Sequence, residues 1–268
     1  MSSDTTVERV QTHIWQEIPE PDNPFATQQA RCHGFDVYGE MLGQARWVDM
    51  FYLLFRGEPP SPDQARLLET LAVALMNPGP RDPSVHAAMC GGGGGSTAAA
   101  CLMAALAVGA GQYTGAREVF LAMELWRSCE TDFDQWRDAL INTSSNQPTD
   151  VWPAVERPPG FDPYGTSTST VVKKTLEQLA DCSGAGKVRW LQSQLDSLET
   201  AAGCPLAMSG VAAAALSELE FSPEEGEMFY LLLRLPGAAA HALEQRRFGH
   251  KTFPFFGLEL DPAEKDAQ

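Results

Sequence analysis

The chain of 268 residues is long enough for one large domain or two modest ones, and its 44% hydrophobic content supports a real core and excludes wholesale disorder. Nineteen basic against 35 acidic side chains leave a net charge of −16, a field that repels phosphate backbones, and with no local basic patch to offset it nucleic-acid binding is excluded. The same field disfavours an anionic ligand unless a few arginines are concentrated at its site.

The N-terminus, Met1-Ser2-Ser3-Asp4-Thr5, lacks the basic and then apolar start of a signal peptide. Residues 1–30 read as an extended arm, because Ile18-Pro19-Glu20-Pro21-Asp22-Asn23-Pro24 cannot continue a helix. Residues 47–55 read as a short, largely buried helix ending at Gly57. Ser61-Pro62-Asp63-Gln64 then combines a serine N-cap, proline at the first helical position, an acid at the positive dipole end and a glutamine three residues on. Leu67, Leu68, Leu71, Ala74 and Leu75 keep helical spacing behind it until Pro78. The same grammar returns at Ser222-Pro223-Glu224-Glu225, ahead of Met228, Phe229, Leu232 and Leu233.

Five consecutive glycines occupy positions 91–95. They predict a hinge or a close backbone approach; a phosphate-cradling loop lacks the Lys-Ser/Thr that should follow. Residues 96–110 are Ala-rich and apolar on nearly every side, which predicts a helix buried all round. The apolar stretch at 98–110 is shorter than the roughly 20 residues of a membrane span, so the expectation is a cytoplasmic protein without membrane contact. Further helices are expected over 119–126, 133–140, 171–180, 188–198 and 211–219. Strand patterns are almost absent, so the fold class is all-α. Residues 142–170 form a helix-poor connection, long enough to suggest function. Cys32, Cys90, Cys101, Cys129, Cys182 and Cys204 show no metal-like spacing and read as reduced, buried thiols, with no metal site expected.

Several segments, in order, resemble the citrate synthase superfamily, in particular citryl-CoA lyase and the C-terminal, citrate synthase-like part of ATP-citrate lyase. They are Gly34-Phe35-Asp36-Val37-Tyr38, Leu53-Leu54-Phe55-Arg56-Gly57, Gly79-Pro80-Arg81-Asp82-Pro83-Ser84-Val85-His86, Gly111-Gln112-Tyr113-Thr114-Gly115-Ala116 and His241-Ala242-Leu243-Glu244-Gln245-Arg246-Arg247. The resemblance spans about residues 30–257. It implies a large helical domain (31–117 with 208–257), a smaller one (118–207), a C-terminal tail (258–268) and a homodimer. It also implies Claisen or retro-Claisen chemistry on a coenzyme A thioester as substrate, with no tightly bound cofactor. Such chemistry needs a base at a weak carbon acid and donors where charge develops on oxygen.

His86 is the best-retained catalytic position, either a donor to a substrate carboxylate or carbonyl, or a helix-start histidine bonded to the backbone. Tyr113 stands where the synthases have a histidine, as an aromatic does in the lyase branch, and Thr114 replaces the first glycine of the next turn. The loop histidine is replaced within Gly160-Phe161-Asp162-Pro163-Tyr164-Gly165, leaving Asp162 as a displaced base. The catalytic carboxylate is absent from Ala202-Gly203-Cys204-Pro205-Leu206-Ala207, and Leu206 holds the matched position. Arg246 and Arg247 match a carboxylate-binding region or else form surface ion pairs, and Arg117 is a further, lesser anion contact. Basic residues that would hold coenzyme A phosphates are replaced by Thr166-Ser167-Thr168-Ser169-Thr170, leaving Lys173 and Lys174, whose other reading is a solvated helix face. Two functions follow: a citryl-CoA lyase-like or citrate synthase-like enzyme, or a silent member that binds a metabolite or pairs with an active paralogue.

Overall fold

A computed structural model describes residues 11–142 and 157–253. Residues 1–10 of the arm, 143–156 of the long connection and the 258–268 tail lie outside the described residues. Ten α-helices are described: α1 (Trp47–Arg56), α2 (Pro62–Leu75), α3 (Pro83–Gly93), α4 (Ala98–Gly109), α5 (Ala116–Cys129), α6 (Phe133–Asn142), α7 (Thr170–Cys182), α8 (Lys187–Ala202), α9 (Met208–Glu218) and α10 (Pro223–Phe248). The all-α expectation holds apart from one small sheet. Strands β1 (Trp15–Glu20) and β2 (Asn23–Cys32) form an antiparallel hairpin and β3 (Phe35–Asp36) adds to β2. The arm is therefore a hairpin where it is described. Its prolines exclude helix, but they sit at a register irregularity and at the turn, where a strand tolerates them.

The residues gather into two compact units, Met1–Ala74 with Arg117–Tyr230, and Leu75–Ala116 with Leu231–Gln268. The sequence-based division had placed its breaks at 117/118 and 207/208.

In the first unit, both predicted capping boxes form. The Ser61 amide donates to Gln64 Oε1 at 2.8 Å while the Gln64 amide donates to Ser61 Oγ at 3.2 Å. Ser222 and Glu225 repeat the pair at 2.8 and 3.2 Å. Helix α1 stops at Gly57, whose φ of 76° is left-handed, as expected of a glycine beyond a helix C-terminus. Phe51, Phe55, Phe221 and Phe229 pack ring against ring, with Tyr52 against Phe221. Trp126, Trp136 and Trp190 form a second aromatic cluster.

The second unit is built on α3, α4 and the C-terminal part of α10, around Val85, Ala88, Cys101, Ala105, Ala238 and Ala242. Gly91, Gly92 and Gly93 are the last turn of α3, so the glycine run is not a loop. A Cβ on Gly92 would lie 2.1 Å from the Ala242 carbonyl oxygen, so this glycine lets α3 and α10 touch backbone to backbone. That is the close approach the run predicts.

Two expectations are corrected. Helix α4 is buried only along Cys101, Ala105 and Gly109, while Met103 is 61% exposed and Val108 is also exposed. A four-residue repeat of small side chains gives one narrow contact stripe; apolar composition alone did not reveal it. Among the cysteines, all free, Cys90 is exposed on α3, whereas Cys32, Cys101 and Cys129 are buried. Among the described residues, no helix is long and apolar enough to cross a membrane and no group of three His, Cys, Asp or Glu side chains could hold a metal.

Candidate functional site

The start of α3 follows directly from Asp82-Pro83-Ser84. Asp82 caps the helix by accepting from the Ser84 amide at 3.0 Å, and Pro83 occupies the first turn, where no amide is required. The His86 amide donates to the Asp82 carbonyl at 2.9 Å, which makes His86 a first-turn residue. Its imidazole lines an open cavity of ≈ 590 Å³ together with Met89, Gln245, Phe248, Thr252 and Phe253. This falls in the size range of small-molecule sites, and its walls combine apolar surface with a few hydrogen-bonding groups. The Phe253 ring lies 6.3 Å from the imidazole, centroid to centroid.

A buried ion pair anchors this site. Arg234, 5% exposed, reaches from α10 to the Asp82 carboxylate, which also accepts from the Ser84 hydroxyl. Arg234 was not among the residues expected from sequence, although a single charge within Leu231-Leu232-Leu233-Arg234-Leu235 must find a partner when the helix is buried. Neither was Gln245, which lies inside the His241–Arg247 motif. The motif's histidine is a strut: His241 Nε2 lies 3.2 Å from Asn77 Oδ1, and that same oxygen accepts from the Gly79 amide at 3.1 Å. The segment leading into α3 is thereby tied to α10. A third tie is the Gly237 amide, which donates to the Met76 carbonyl at 2.9 Å.

The other sequence-derived candidates are distributed as follows. Arg246 lines a different cavity from His86, so the structure does not bring these two together. Arg247 is exposed beside it in the last turn of α10. Tyr113 is exposed in the segment between α4 and α5, next to Thr114, whose φ of 61° is an uncommon left-handed conformation for a β-branched residue.

The remaining candidates belong to the other unit. The Arg117 guanidinium stacks 3.7 Å from the Phe120 ring centre and pairs with Glu227 at 3.4 Å. Lys173 and Lys174 are exposed on α7. Asp162 is exposed, and its Oδ1 accepts from the Tyr164 amide at 3.0 Å, a local turn contact. Its own amide donates to the Pro205 carbonyl at 2.7 Å, beside a bridge between Phe161 and Leu206. Leu206 is 3% exposed, so the position matched to the missing carboxylate is a packed apolar one.

The acid that does reach this segment is Glu199, three residues before Ala202. Its Oε1 accepts from the Leu206 amide at 2.9 Å, and the Thr168 hydroxyl bonds both groups. Nearby, Glu118 is 3% exposed, accepts from the Gly160 amide at 3.3 Å and pairs with Arg157 at 3.9 Å. Burial, and after it the Asp162 charge, hold the Cys204 thiol above its ordinary range, which disfavours a thiolate nucleophile here.

Comparison with solved structures fixes the architecture. The chain superposes on citryl-CoA lyase from Hydrogenobacter thermophilus with a TM-score of 0.70 at 18% identity, over 95% of this chain and 97% of that one. It superposes on ATP citrate lyase from Methanothrix soehngenii, in complex with citrate and coenzyme A, with a TM-score of 0.69 at 14% identity. That match covers 98% of this chain and 44% of the larger protein. The chain has the citrate synthase-like fold. Citrate synthase from Thermoplasma acidophilum, in a ternary complex with carboxymethyl coenzyme A, shares that fold at a TM-score of 0.56 and 13% identity, over 84% of this chain and 59% of that one. No protein-family model and no curated protein matches the sequence. At such identities the citrate synthase-like fold speaks for architecture, and function has to be argued from the site.

Proposed function

We propose that the protein binds and acts on a coenzyme A thioester, in carbon–carbon bond chemistry of the citrate synthase or citryl-CoA lyase type. The observation that carries this reading is His86 in the wall of a ≈ 590 Å³ cavity, on a fold otherwise seen in proteins solved with citrate, coenzyme A or citryl-CoA. The imidazole would donate to the thioester or carbonyl oxygen where charge develops, Gln245 would add a second polar contact, and the Phe248 and Phe253 rings would exclude water. Arg246 is left out of this proposal, because its side chain lines another cavity.

The test is a thermal-shift series with coenzyme A, acetyl-CoA, citryl-CoA, oxaloacetate and citrate, paired with measurement of thiol release. A ligand at about a hundredfold excess over its Kd adds about 3 kcal/mol of apparent stability, so a binder is readily seen. Absence of any shift overturns the proposal.

A second reading is a silent member of this fold that binds without turnover. It is favoured by Leu206, whose buried hydrocarbon side chain cannot take a proton where a carboxylate is expected. Binding in the series above with no thiol release and no citryl-CoA cleavage selects this reading.

We further infer a homodimer. Residues 83–116 contain no Asp, Glu, Lys or Arg in a chain of net charge −16, and within them α4 presents Met103 and Val108 to solvent. Two acidic copies meet at least electrostatic cost on such a face. Sedimentation of the protein and of Met103→Asp tests it, with a dimer expected for the first and a monomer for the second. Co-purification with an active paralogue in place of self-association would replace the homodimer by a heteromer.

A further inference from the structure

Helix α10 presents two faces within the second unit. Gln245 and Phe248 face the His86 cavity. Ala239, Ala242, Leu243 and Arg246, at i, i+3, i+4 and i+7, line a separate cavity of ≈ 70 Å³. Its other walls are the end of α3 and the first turns of α4, including Ala98, Cys101 and Leu102. The two cavities share no lining residue.

The second cavity exists because its walls are small. Gly92 brings α3 onto the α10 backbone, and alanines at 98, 239 and 242 leave a hollow that larger side chains would fill. Among the described lining residues, the side chains that carry nitrogen or oxygen are those of Ser96 and Arg246. Arg246 is exposed in the last turn of α10 and makes neither a hydrogen bond nor an ion pair with the described residues. In a chain of net charge −16, a guanidinium with no acidic partner among the described residues stands out at the edge of an apolar hollow.

From this juxtaposition we propose a second binding site, for a small monocarboxylate with a short aliphatic tail, with the carboxylate on Arg246 and the tail between α4 and α10. Arginine's planar fork suits a carboxylate, and the charge-assisted pair is stronger than a neutral hydrogen bond. The hollow, at ≈ 70 Å³, is about half the size of the roughly 150 Å³ apolar cavity known to stay dry and bind benzene, so it encloses a few carbons of a short chain, with the rest of a longer tail at its mouth, and no ring.

The probe is sodium hexanoate, titrated into the full-length protein and followed by calorimetry and methyl NMR, with 1-hexanol as the uncharged counterpart. Saturable hexanoate binding is expected, with 1-hexanol and the Arg246→Gln variant each weaker by about tenfold or more. Arg247→Gln is expected to bind as the unaltered protein does. Raising ionic strength from about 0.05 M to about 0.5 M should weaken hexanoate and leave 1-hexanol unchanged. Ala239→Leu, which fills the hollow, should abolish both; if that variant does not fold, the hexanoate and 1-hexanol comparison still decides. Equal affinity for the two probes overturns the carboxylate assignment. Binding that survives Arg246→Gln, or shifts confined to Met89 of the His86 cavity, overturns the site. Self-association lost in Arg246→Gln without hexanoate binding assigns the hollow to a second copy and overturns the ligand proposal.

Discussion

Replacing Gly92 by alanine sets two physical effects of opposite sign against each other. In an ordinary helix interior, alanine is better than glycine by about 0.5–1 kcal/mol, because glycine loses more backbone freedom on folding. At position 92, the added methyl would stand 2.1 Å from the Ala242 oxygen, 2.8 Å from its carbonyl carbon and 3.0 Å from its Cα. These are backbone atoms of a long helix and cannot rotate away. Helices α3 and α10 would have to separate by about 1 Å, which forfeits a quarter to a half of each dispersion contact along the seam. The Val85, Ala88 and Ala238 packing lies on that seam. Overpacking of this kind costs about 1–3 kcal/mol, so Gly92→Ala should be destabilised, although propensity alone predicts a gain. The assay is urea unfolding followed by far-UV circular dichroism, with thermal melts in which each kcal/mol is about 2–4 °C. Gly91→Ala is the control, because its nearest obstacle is the Cys101 sulfur at 3.0 Å, a side-chain atom that can shift. A Gly92→Ala protein as stable as the unaltered chain would refute the backbone-contact argument.

Further outcomes follow from the same structure. Arg234→Met leaves Asp82 as an unpaired acid in a largely buried setting and should cost about 3–5 kcal/mol in urea unfolding, while a double substitution of both partners should recover much of the loss. Ser61→Ala and Ser222→Ala each remove one half of a capping box and should cost about 0.5–2 kcal/mol, read from urea midpoints. Thr114→Gly relieves a left-handed conformation worth about 1–2 kcal/mol against a glycine entropy cost of about 0.5–1 kcal/mol, so a net gain of about 0.5–1 kcal/mol is expected in thermal melts. Asp49 is held below the usual carboxylate range, chiefly by its hydrogen bond from Arg46 and further by the Arg46 amide. A depressed folded value means its contribution is present above about pH 4 and is lost as pH falls through that depressed value. The stability gap between the unaltered protein and Asp49→Asn should therefore be full at pH 7 and shrink towards pH 3.

What was legible in the sequence was whatever local chemistry dictates. Ser61-Pro62-Asp63-Gln64 and Ser222-Pro223-Glu224-Glu225 announce helix starts because their side chains satisfy amides within one turn, and both form as written. Gly57 marks a helix end because it takes a conformation that side chains resist. The hairpin over β1 and β2 was not legible, since its strands are mostly exposed and carry little apolar alternation, the usual strand signal. The single buried stripe of α4 was hidden by composition, because alanine, leucine and methionine look alike on the wet and dry sides of that helix.

The site shows the same division. His86 and its helix start could be read from Asp82-Pro83-Ser84, all within five residues. Gln245 and Arg234 reach the neighbourhood of α3 from more than a hundred residues away, and no local pattern encodes that meeting. Arg246 was grouped with His86 because both fall in motifs of one family resemblance. Helical periodicity then turns Gln245 and Arg246, adjacent in sequence, towards different cavities. Glu199 was not legible, since its contact with Leu206 depends on how α8 ends and not on sequence proximity to the expected acid.

Calorimetric titration of citryl-CoA into the protein and into His86→Ala decides whether His86 forms part of a coenzyme A thioester site. Saturable binding is expected for the first and binding weaker by about tenfold for the second, from loss of a hydrogen bond to a charged or polarised oxygen. Identical isotherms for the two proteins, or no heat with either, would contradict that role for His86.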